Sequence, residues 1–340
     1  MGKLKVSAII PTYNRAKVIA RAVHSALREL DSEDELLIID DGSTDGTDSL
    51  ITSIPDSRIR YIQQPNRGAG AARNRGAAEA AGDLIAYLDS DDEWLPGKIQ
   101  LQRGLMASQP DLLFCFTDFQ RDYGPTRERH SIHLWHSDKR TWEQILGRPT
   151  MFSRITQLPR EVADFAVFRG DMYHSEMRHN YILTSCIMIR KREAGDATHF
   201  TEGAKTYEDW ECFGRLARRG AAAYLDVETA VQYAHAGTRL TDADQLTCAE
   251  ARLTVLRNVW GDDPAFLAKA GEDYRALVRE QELLRVRGLL VHGRTPEARE
   301  GIRRLGAAPL SYRLLSILPA TLLVTLLEVR RRMSQFLEYN

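Results

Sequence analysis

The sequence predicts an α/β protein in which a mostly parallel sheet is flanked by helices and followed by a helical C-terminal extension. Short β-branched runs alternate with amphipathic stretches through the first half, the pattern of parallel strands joined by crossover helices. Beyond residue 241 the apolar spacing is helical. The length of 340 residues suits about two domains of roughly 150 residues each.

Val6 to Ile10 is a β-branched run that stops at Pro11. Asn14 stands where a helix cap would precede the apolar positions Val18, Ala22, Val23, Ala26, Leu27 and Leu30. Leu36 to Ile39 reads as a second buried strand, closed by Asp40, Asp41 and Gly42, and Ile59 to Gln63 as a third. The alanine-rich Ala69 to Ala81 is a helix, and Leu84 to Leu88 is a strand that runs directly into Asp89, Ser90, Asp91 and Asp92. Leu112 to Phe116 is a fifth strand.

From Gln120 to Arg178 the periodicity fades, which predicts an irregular insertion with short helices. Ile182 to Ile189 returns as a strand, Tyr207 to Arg218 as a helix and Tyr224 to Ala234 as one or two strands. Helices follow over Leu246 to Val259 and Pro264 to Gly293, and a third starts at a Thr295 cap with Pro296 in its first position. The expected division is a catalytic domain at 1–240, with halves at 1–118 and 119–240, and a helical extension at 241–340.

With 43% hydrophobic and 27% charged residues the composition is that of a soluble globular protein. The 46 Lys and Arg against 47 Asp and Glu leave a net charge of -1, so no global positive field argues for a nucleic-acid partner. Cys115, Cys186, Cys212 and Cys248 form no CxxC pair. That argues against a zinc knuckle or a dithiol site and predicts a reduced, cytoplasmic setting. The apolar run before Pro11 is too short for the core of a signal peptide.

The acids cluster at strand ends, where ligands bind to open α/β sheets. Crowded carboxylates repel unless a cation or hydrogen-bond donors compensate, so Asp89-Ser90-Asp91 suggests a divalent metal. All-oxygen ligation suits Mg2+ or Mn2+. Simple turn formation is the alternative reading. Gly68-Ala69-Gly70-Ala71-Ala72-Arg73 partly imitates a dinucleotide fingerprint, but Arg73 takes the third glycine's place and the segment follows the third strand, which argues against an oxidoreductase.

Four motifs occur in order: Val6-Ser7-Ala8-Ile9-Ile10-Pro11-Thr12-Tyr13-Asn14, Ile38-Ile39-Asp40-Asp41-Gly42-Ser43-Thr44-Asp45, Ala72-Arg73-Asn74-Arg75-Gly76 and Tyr87-Leu88-Asp89-Ser90-Asp91-Asp92. Over about residues 4–235 this resembles the family 2 glycosyltransferases, which have the GT-A fold. The resemblance implies inverting transfer of one sugar from a nucleoside diphosphate donor, usually uridine-linked, with a Mn2+ or Mg2+ cofactor.

Carried over by position, Pro11, Thr12 and Tyr13 match the loop beneath the nucleoside, and Asp41 matches the carboxylate facing the base. Asp40 is expected to be structural. Arg73 is placed near the base or diphosphate, with a helix-surface salt bridge as the alternative. Asp89, Ser90 and Asp91 match the DxD motif, in which the second acid binds metal and the first lies nearer the donor's ribose or sugar. His235 matches a position that can complete the metal or phosphate shell, a structural histidine being the other reading. In Tyr207-Glu208-Asp209-Trp210, Asp209 matches the proposed base; otherwise these acids merely favour the positive end of their helix. Thr184 and Ser185 fall on a strand that would run beneath the donor sugar. Trp135, Trp142, His174 and His179 could contact an acceptor saccharide or pack in the core.

From Arg275 onward twelve arginines face six glutamates. Leu314 to Val329 is apolar but, at sixteen residues with Pro319 and Glu328 inside it, falls short of the roughly 20 needed to cross a bilayer. Followed by Arg330-Arg331-Arg332, it suits either a peripheral contact with the inner face of the plasma membrane or a helix packed on the catalytic domain or in a homodimer. The family's polymerising branch carries a Gln-x-x-Arg-Trp motif and several transmembrane helices. Their absence predicts single-sugar transfer to a saccharide or lipid-linked acceptor. A sugar-nucleotide-binding scaffold and a sugar-phosphate nucleotidyltransferase are the competing readings, and the latter lacks a glycine-rich triphosphate loop.

Overall fold

The structure, a computed structural model, describes residues 2–136, 138–234 and 243–305. The chain divides into two compact units, one of Met1–Ala204 with Glu208–Gly237 and the other of Lys205–Tyr207 with Thr238–Asn340.

The first unit is built on one sheet. Its strands are β1 (Val6–Thr12), β2 (Glu35–Asp40), β3 (Ile59–Gln63), β4 (Leu84–Tyr87), β5 (Glu93–Trp94), β6 (Leu112–Asp122), β7 (Arg127–Glu128), β8 (Thr150–Met151), β9 (Ala166–Gly170), β10 (Met188–Arg190) and β11 (Ala221–Tyr233). The order is β3-β2-β1-β4-β10-β6-β11-β9-β8, with β5 against β11 and β7 against β6. From β3 to β4 every pairing is parallel. Beyond β4 the sheet is mixed: β10 runs antiparallel to both neighbours, and β11 is parallel to β6 but antiparallel to β9 and β5.

Parallel strands covered on both faces are apolar throughout, and Val6, Ala8, Ile9, Ile10 and Leu36 to Ile39 are all fully buried. The helix Ile19–Glu29 turns Ile19, Ala22, Val23 and Ala26 inward. The helix Ala69–Glu79 lies so close to the sheet that a Cβ on Gly76 would stand 2.4 Å from Ile9 Cγ2.

Several sequence expectations need correction. Asn14 caps no helix: the helix starts at Ile19 after Val18, and Asn14 adopts φ 51°. Its N–H donates to Ser43 Oγ at 2.8 Å and its Oδ1 accepts from the Thr44 N–H at 2.8 Å, which ties the loop after β1 to the loop after β2. Ile182 to Ile189 is a 3₁₀ turn at Thr184–Cys186 followed by the short β10. A fully buried apolar run has no periodicity to separate strand from turn, and here the bend delivers Ser185 to the acidic loop. β6 continues six residues past the expected Phe116. The 120–178 segment contributes β7, β8 and β9 besides its short helices, so part of it is sheet.

The second unit is helical, with helices Gln245–Leu256, Pro264–Val291 and Thr295–Leu305. Asp244 caps the first by accepting from the Leu246 and Thr247 N–H groups, and Asp263 caps the second, with Pro264 in its first turn. Leu246, Val286, Leu289, Leu290, Ala298 and Ile302 form its core. Among the described residues no helix is long and apolar enough to cross a membrane. His235 and the 306–340 segment, including Leu314 to Val329 and Arg330-Arg331-Arg332, lie outside the described residues.

Candidate active site

Three strand ends and two helices converge at the carboxyl edge of the parallel ladder. β1 delivers Pro11 and Thr12, both buried, and the next residue, Tyr13, presents a ring that is 48% exposed. The Thr12 hydroxyl is buried without a hydrogen-bond partner among the described residues. β2 ends in Asp40, whose carboxylate accepts from the Tyr61 hydroxyl and, at 2.7 Å, from the Ser43 N–H. These contacts tie Asp40 to β3 and to the loop after β2.

Asp41 is also buried. Its carboxylate accepts from Gln64 Nε2 at 2.7 Å, from the Arg67 N–H at 3.0 Å and from the Gly68 N–H at 2.7 Å. Gly68 precedes the helix Ala69–Glu79, so Asp41 sits against that helix's positive end. φ of +91° at Gly68 is readily adopted only by glycine.

Arg73 lies on the same helix, five residues beyond Gly68 and so about 7.5 Å along the axis. Its side chain is only 7% exposed. Nη2 donates to Asp89 Oδ1 at 2.8 Å and Nη1 to Glu208 Oε1 at 3.0 Å, with the guanidinium 5.2 Å from the centre of the Phe200 ring. Burial opposes the charge, but Asp89 and Glu208 more than offset it and hold Arg73 protonated. The sequence alternatives were a phosphate contact or a helix-surface salt bridge. The arrangement found is a buried double ion pair joining the acidic loop after β4 to the helix Glu208–Arg219.

That loop is held from two sides. Ser185 Oγ accepts from the Asp89 N–H at 3.1 Å and donates to Asp92 Oδ2 at 2.5 Å. Burial, with Asp89 and Asp91 beside it, pushes the Asp92 carboxyl well above the usual range. Ser90 is buried, whereas the side chains of Asp89 and Asp91 are 27% and 23% exposed. Arg21 donates to the Asp91 carbonyl at 2.6 Å, and Arg15 lies 4.0 Å from the Asp91 carboxylate.

Asp209 occupies the first turn of the helix Glu208–Arg219, next to the Arg73 partner Glu208. Tyr207, just before it, has φ 64°, a left-handed conformation that is strained for an aromatic residue. Asp209 Oδ2 accepts from Asn180 Nδ2 at 3.2 Å, and Oδ1 accepts from the Trp210 N–H at 2.7 Å. Burial first, then Glu208, pushes its carboxyl up to about 7, with Arg73 pulling the other way. Such a group can exchange a proton near neutral pH.

The structure therefore connects Asp41, Arg73, Asp89 and Glu208–Asp209 through hydrogen bonds, ion pairs and the helix Ala69–Glu79, and it places Asp91 in the same loop as Asp89. Sequence reasoning missed the Ser185 hydroxyl as the support of the loop, Glu208 as the second Arg73 partner, and the Arg15 and Arg21 contacts to Asp91. Glu208 stood inside a recognised motif; the others carried no local signal. Of the acceptor-side candidates, Trp142 is core, stacked on Tyr224 with ring centres 4.2 Å apart. Trp135 packs edge-on to Phe119, His179 lies beside His136 and Tyr181, and His174 is exposed.

Known proteins resemble this chain in family and in fold. Residues 7–175 match the model of glycosyl transferase family 2. An Escherichia coli enzyme named UDP-Glc:alpha-D-GlcNAc-diphosphoundecaprenol beta-1,3-glucosyltransferase WfgD is 38% identical over 116 residues, 34% of this chain and 46% of that protein. The chain spans about a quarter to under a half of such curated relatives. In fold it resembles residues 1–349 of TarS from S. aureus in complex with UDP-GlcNAc (TM-score 0.54, 17% identity, 84% of this chain and 72% of that one). It also resembles the mannosyltransferase PcManGT from Pyrobaculum calidifontis in complex with GDP-Man and Mn2+ (TM-score 0.52, 15% identity, 93% and 79%). The chain belongs to glycosyl transferase family 2 and carries the GT-A fold.

Proposed function

We propose that the protein transfers one sugar from a nucleoside diphosphate donor, preferentially uridine-linked, to an acceptor hydroxyl with inversion at the anomeric carbon. The observation that carries this reading is the Arg73 clamp, which joins the acidic loop to the helix bearing Asp209. Pro11, Thr12 and Tyr13 would form one wall of the nucleoside site, with the exposed Tyr13 ring available to stack on the base, and Asp41 would face the base.

Asp91 and Asp89 would hold a Mn2+ or Mg2+ ion, and Ser90 spaces them. The fit rests on three crowded carboxylates, of which Asp92 is driven toward its neutral form while Asp89 and Asp91 remain partly open to solvent. When bound, the ion neutralises charge on the departing diphosphate. His235, outside the described residues, would complete that shell. Arg73 fixes the orientation of Asp89, and Ser185 holds the loop backbone. Asp209 takes the acceptor's hydroxyl proton as the new glycosidic bond forms, its raised proton affinity matching that task.

The relative WfgD is named for transfer to a lipid-linked acceptor. A saccharide or lipid-linked acceptor of surface polysaccharide assembly at the cytoplasmic membrane face is the corresponding proposal here. The basic C-terminal segment would serve as a peripheral membrane contact or dimer element.

The test is product analysis with a panel of nucleotide sugars and Mn2+. Release of UDP from one sugar donor, lost in Asp209→Asn, supports transferase chemistry. Tight donor binding with no turnover of any donor or acceptor would favour a binding scaffold, and consumption of nucleoside triphosphate with sugar phosphate would favour a nucleotidyltransferase.

A further inference from the structure

A second set of ligand atoms lies on the other half of the sheet, outside the donor site. Asp118 on β6, His133 on the short helix Ile132–Trp135 and Asp226 on β11 each offer one donor atom, and these atoms lie within 4.8 Å of one another. An ion held tetrahedrally about 2 Å from each would separate them by roughly 3.3 Å. The triad is therefore within about 1.5 Å of closing on a cation.

The surrounding structure orients all three groups. Asp118 is fully buried, and its Oδ1 accepts from its neighbour Phe119's N–H at 2.7 Å and from the Ile132 N–H at 2.9 Å. His130 Nδ1 lies 3.2 Å from Asp118 Oδ2. The Tyr224 hydroxyl donates to Asp226 Oδ1 at 3.0 Å. Asp226 sits where the register of β11 against β6 breaks, between Leu225 and Glu228, and such bulges re-aim side chains. The helix bearing His133 is pinned by the Ser131 N–H donating to the Phe119 carbonyl and by Trp135 against Phe119. Among the described residues no lysine or arginine forms an ion pair with Asp118 or Asp226, so neither carboxylate is already matched by a fixed Lys or Arg cation.

We infer that Asp118, His133 and Asp226 form a binding site for a first-row transition dication, distinct from the Asp89–Asp91 loop, that staples the start of the 120–178 segment to β6 and β11. One imidazole and two carboxylates suit Zn2+, Co2+ or Mn2+ better than Mg2+ or Ca2+, and three protein ligands leave a position for water. The hydrogen bonds to both carboxylates are the outer-shell partners such a site requires.

The experiment uses the nucleotide-free full chain, titrated with Zn2+ by calorimetry and with Co2+ by visible absorption, alongside thermal melting with and without metal. The wild type should bind Zn2+ and melt higher with it. His133→Ala, at an exposed position that leaves the fold intact, and Asp226→Asn should each weaken binding at least tenfold and lose the thermal gain. Asp91→Asn should keep both. Unchanged Zn2+ affinity in His133→Ala and Asp226→Asn, loss of binding in Asp91→Asn alone, or no binding of either metal by the wild type would overturn the assignment. None of these readouts depends on transferase activity, so this site and the proposed function can fail separately.

Discussion

The two halves of the sheet differ in how their residues are held. From β3 to β4 the strands are parallel, and the site residues project from strand ends that buried apolar runs fix from both faces. From β10 to β8 the sheet is mixed, the strands are joined by an irregular segment, and the polar residues are positioned by side-chain contacts such as Asp118 to Ile132 and Tyr181 to Asp138. Local pattern builds the parallel half, whereas long-range packing builds the mixed half. Substitutions in the first half should therefore act on one identifiable group each, and the strongest effects should fall where the halves meet, at Arg73 and Asp209.

The largest expected effect is Asp209→Asn. Removal of a general base costs about 10²–10⁴-fold in turnover. Because Asp209 contacts Asn180 and its own helix rather than the nucleoside loop, affinity for UDP should stay near wild type. Rapid-quench turnover together with calorimetric UDP binding checks both halves of the claim; a parallel loss of UDP affinity would move Asp209 to the donor side.

Next is Arg73→Met, which leaves Asp89 and Glu208 without their shared cation. Removing one partner of a buried ion pair costs about 3–5 kcal/mol. Chemical denaturation should show a large loss of stability together with lost turnover. Retention of wild-type stability would mean that Arg73 does not join the halves. A smaller effect, confined to the first half, is expected for Gly76→Ala. The new methyl would meet Ile9 at 2.4 Å, and such overpacking costs about 1–3 kcal/mol. Melting with unchanged UDP affinity in the folded fraction is the expected outcome.

This contrast also explains what could be read from sequence. β1 to β4 and the helices between them follow from apolar runs and alanine-rich periodicity, because each segment's surroundings are uniform enough for its own residues to report them. Asp41, Asp89 and Asp209 stood out because acids at strand and helix ends are conspicuous. Ser185 did not: a serine inside an apolar run looks like a packed strand residue, and only the chain reversal at Thr184–Cys186 shows its hydroxyl bridging Asp89 and Asp92. Asp118, His133 and Asp226 were equally silent, since they are brought together by a β-bulge and a four-residue helix, neither of which leaves a periodic trace. Asn14 was misread because its side chain serves a loop thirty residues away rather than the next helix.

The pH dependence sharpens the role of Glu208. As the proposed base, Asp209 would act only when ionised, and its carboxyl is pushed up to about 7, so turnover should rise with pH through about 7. Glu208→Gln removes a negative neighbour that raises Asp209 and leaves the lowering influence of Arg73 in place. The acid limb of kcat/KM for donor turnover should then move to lower pH. A limb that stays fixed would assign it to a group other than Asp209.

The smallest expected effect tests the nucleoside wall. Tyr13, just after β1, is exposed, and the loop is tied by Asn14, Ser43 and Thr44 instead, so the fold should not depend on the Tyr13 ring. Stacking contributes about 0.5–1.5 kcal/mol, so Tyr13→Ala should weaken UDP binding by up to about tenfold, with unchanged melting and unchanged turnover at saturating donor. Tyr13→Phe should restore most of the affinity, because the ring face and not the hydroxyl makes the contact. If Tyr13→Ala instead lowers saturating turnover while binding UDP normally, the ring acts on the transferred sugar, and the nucleoside must be held by Thr12 and Asp41 without it. The buried Thr12 hydroxyl, which has no hydrogen-bond partner among the described residues, would then be the group to substitute next.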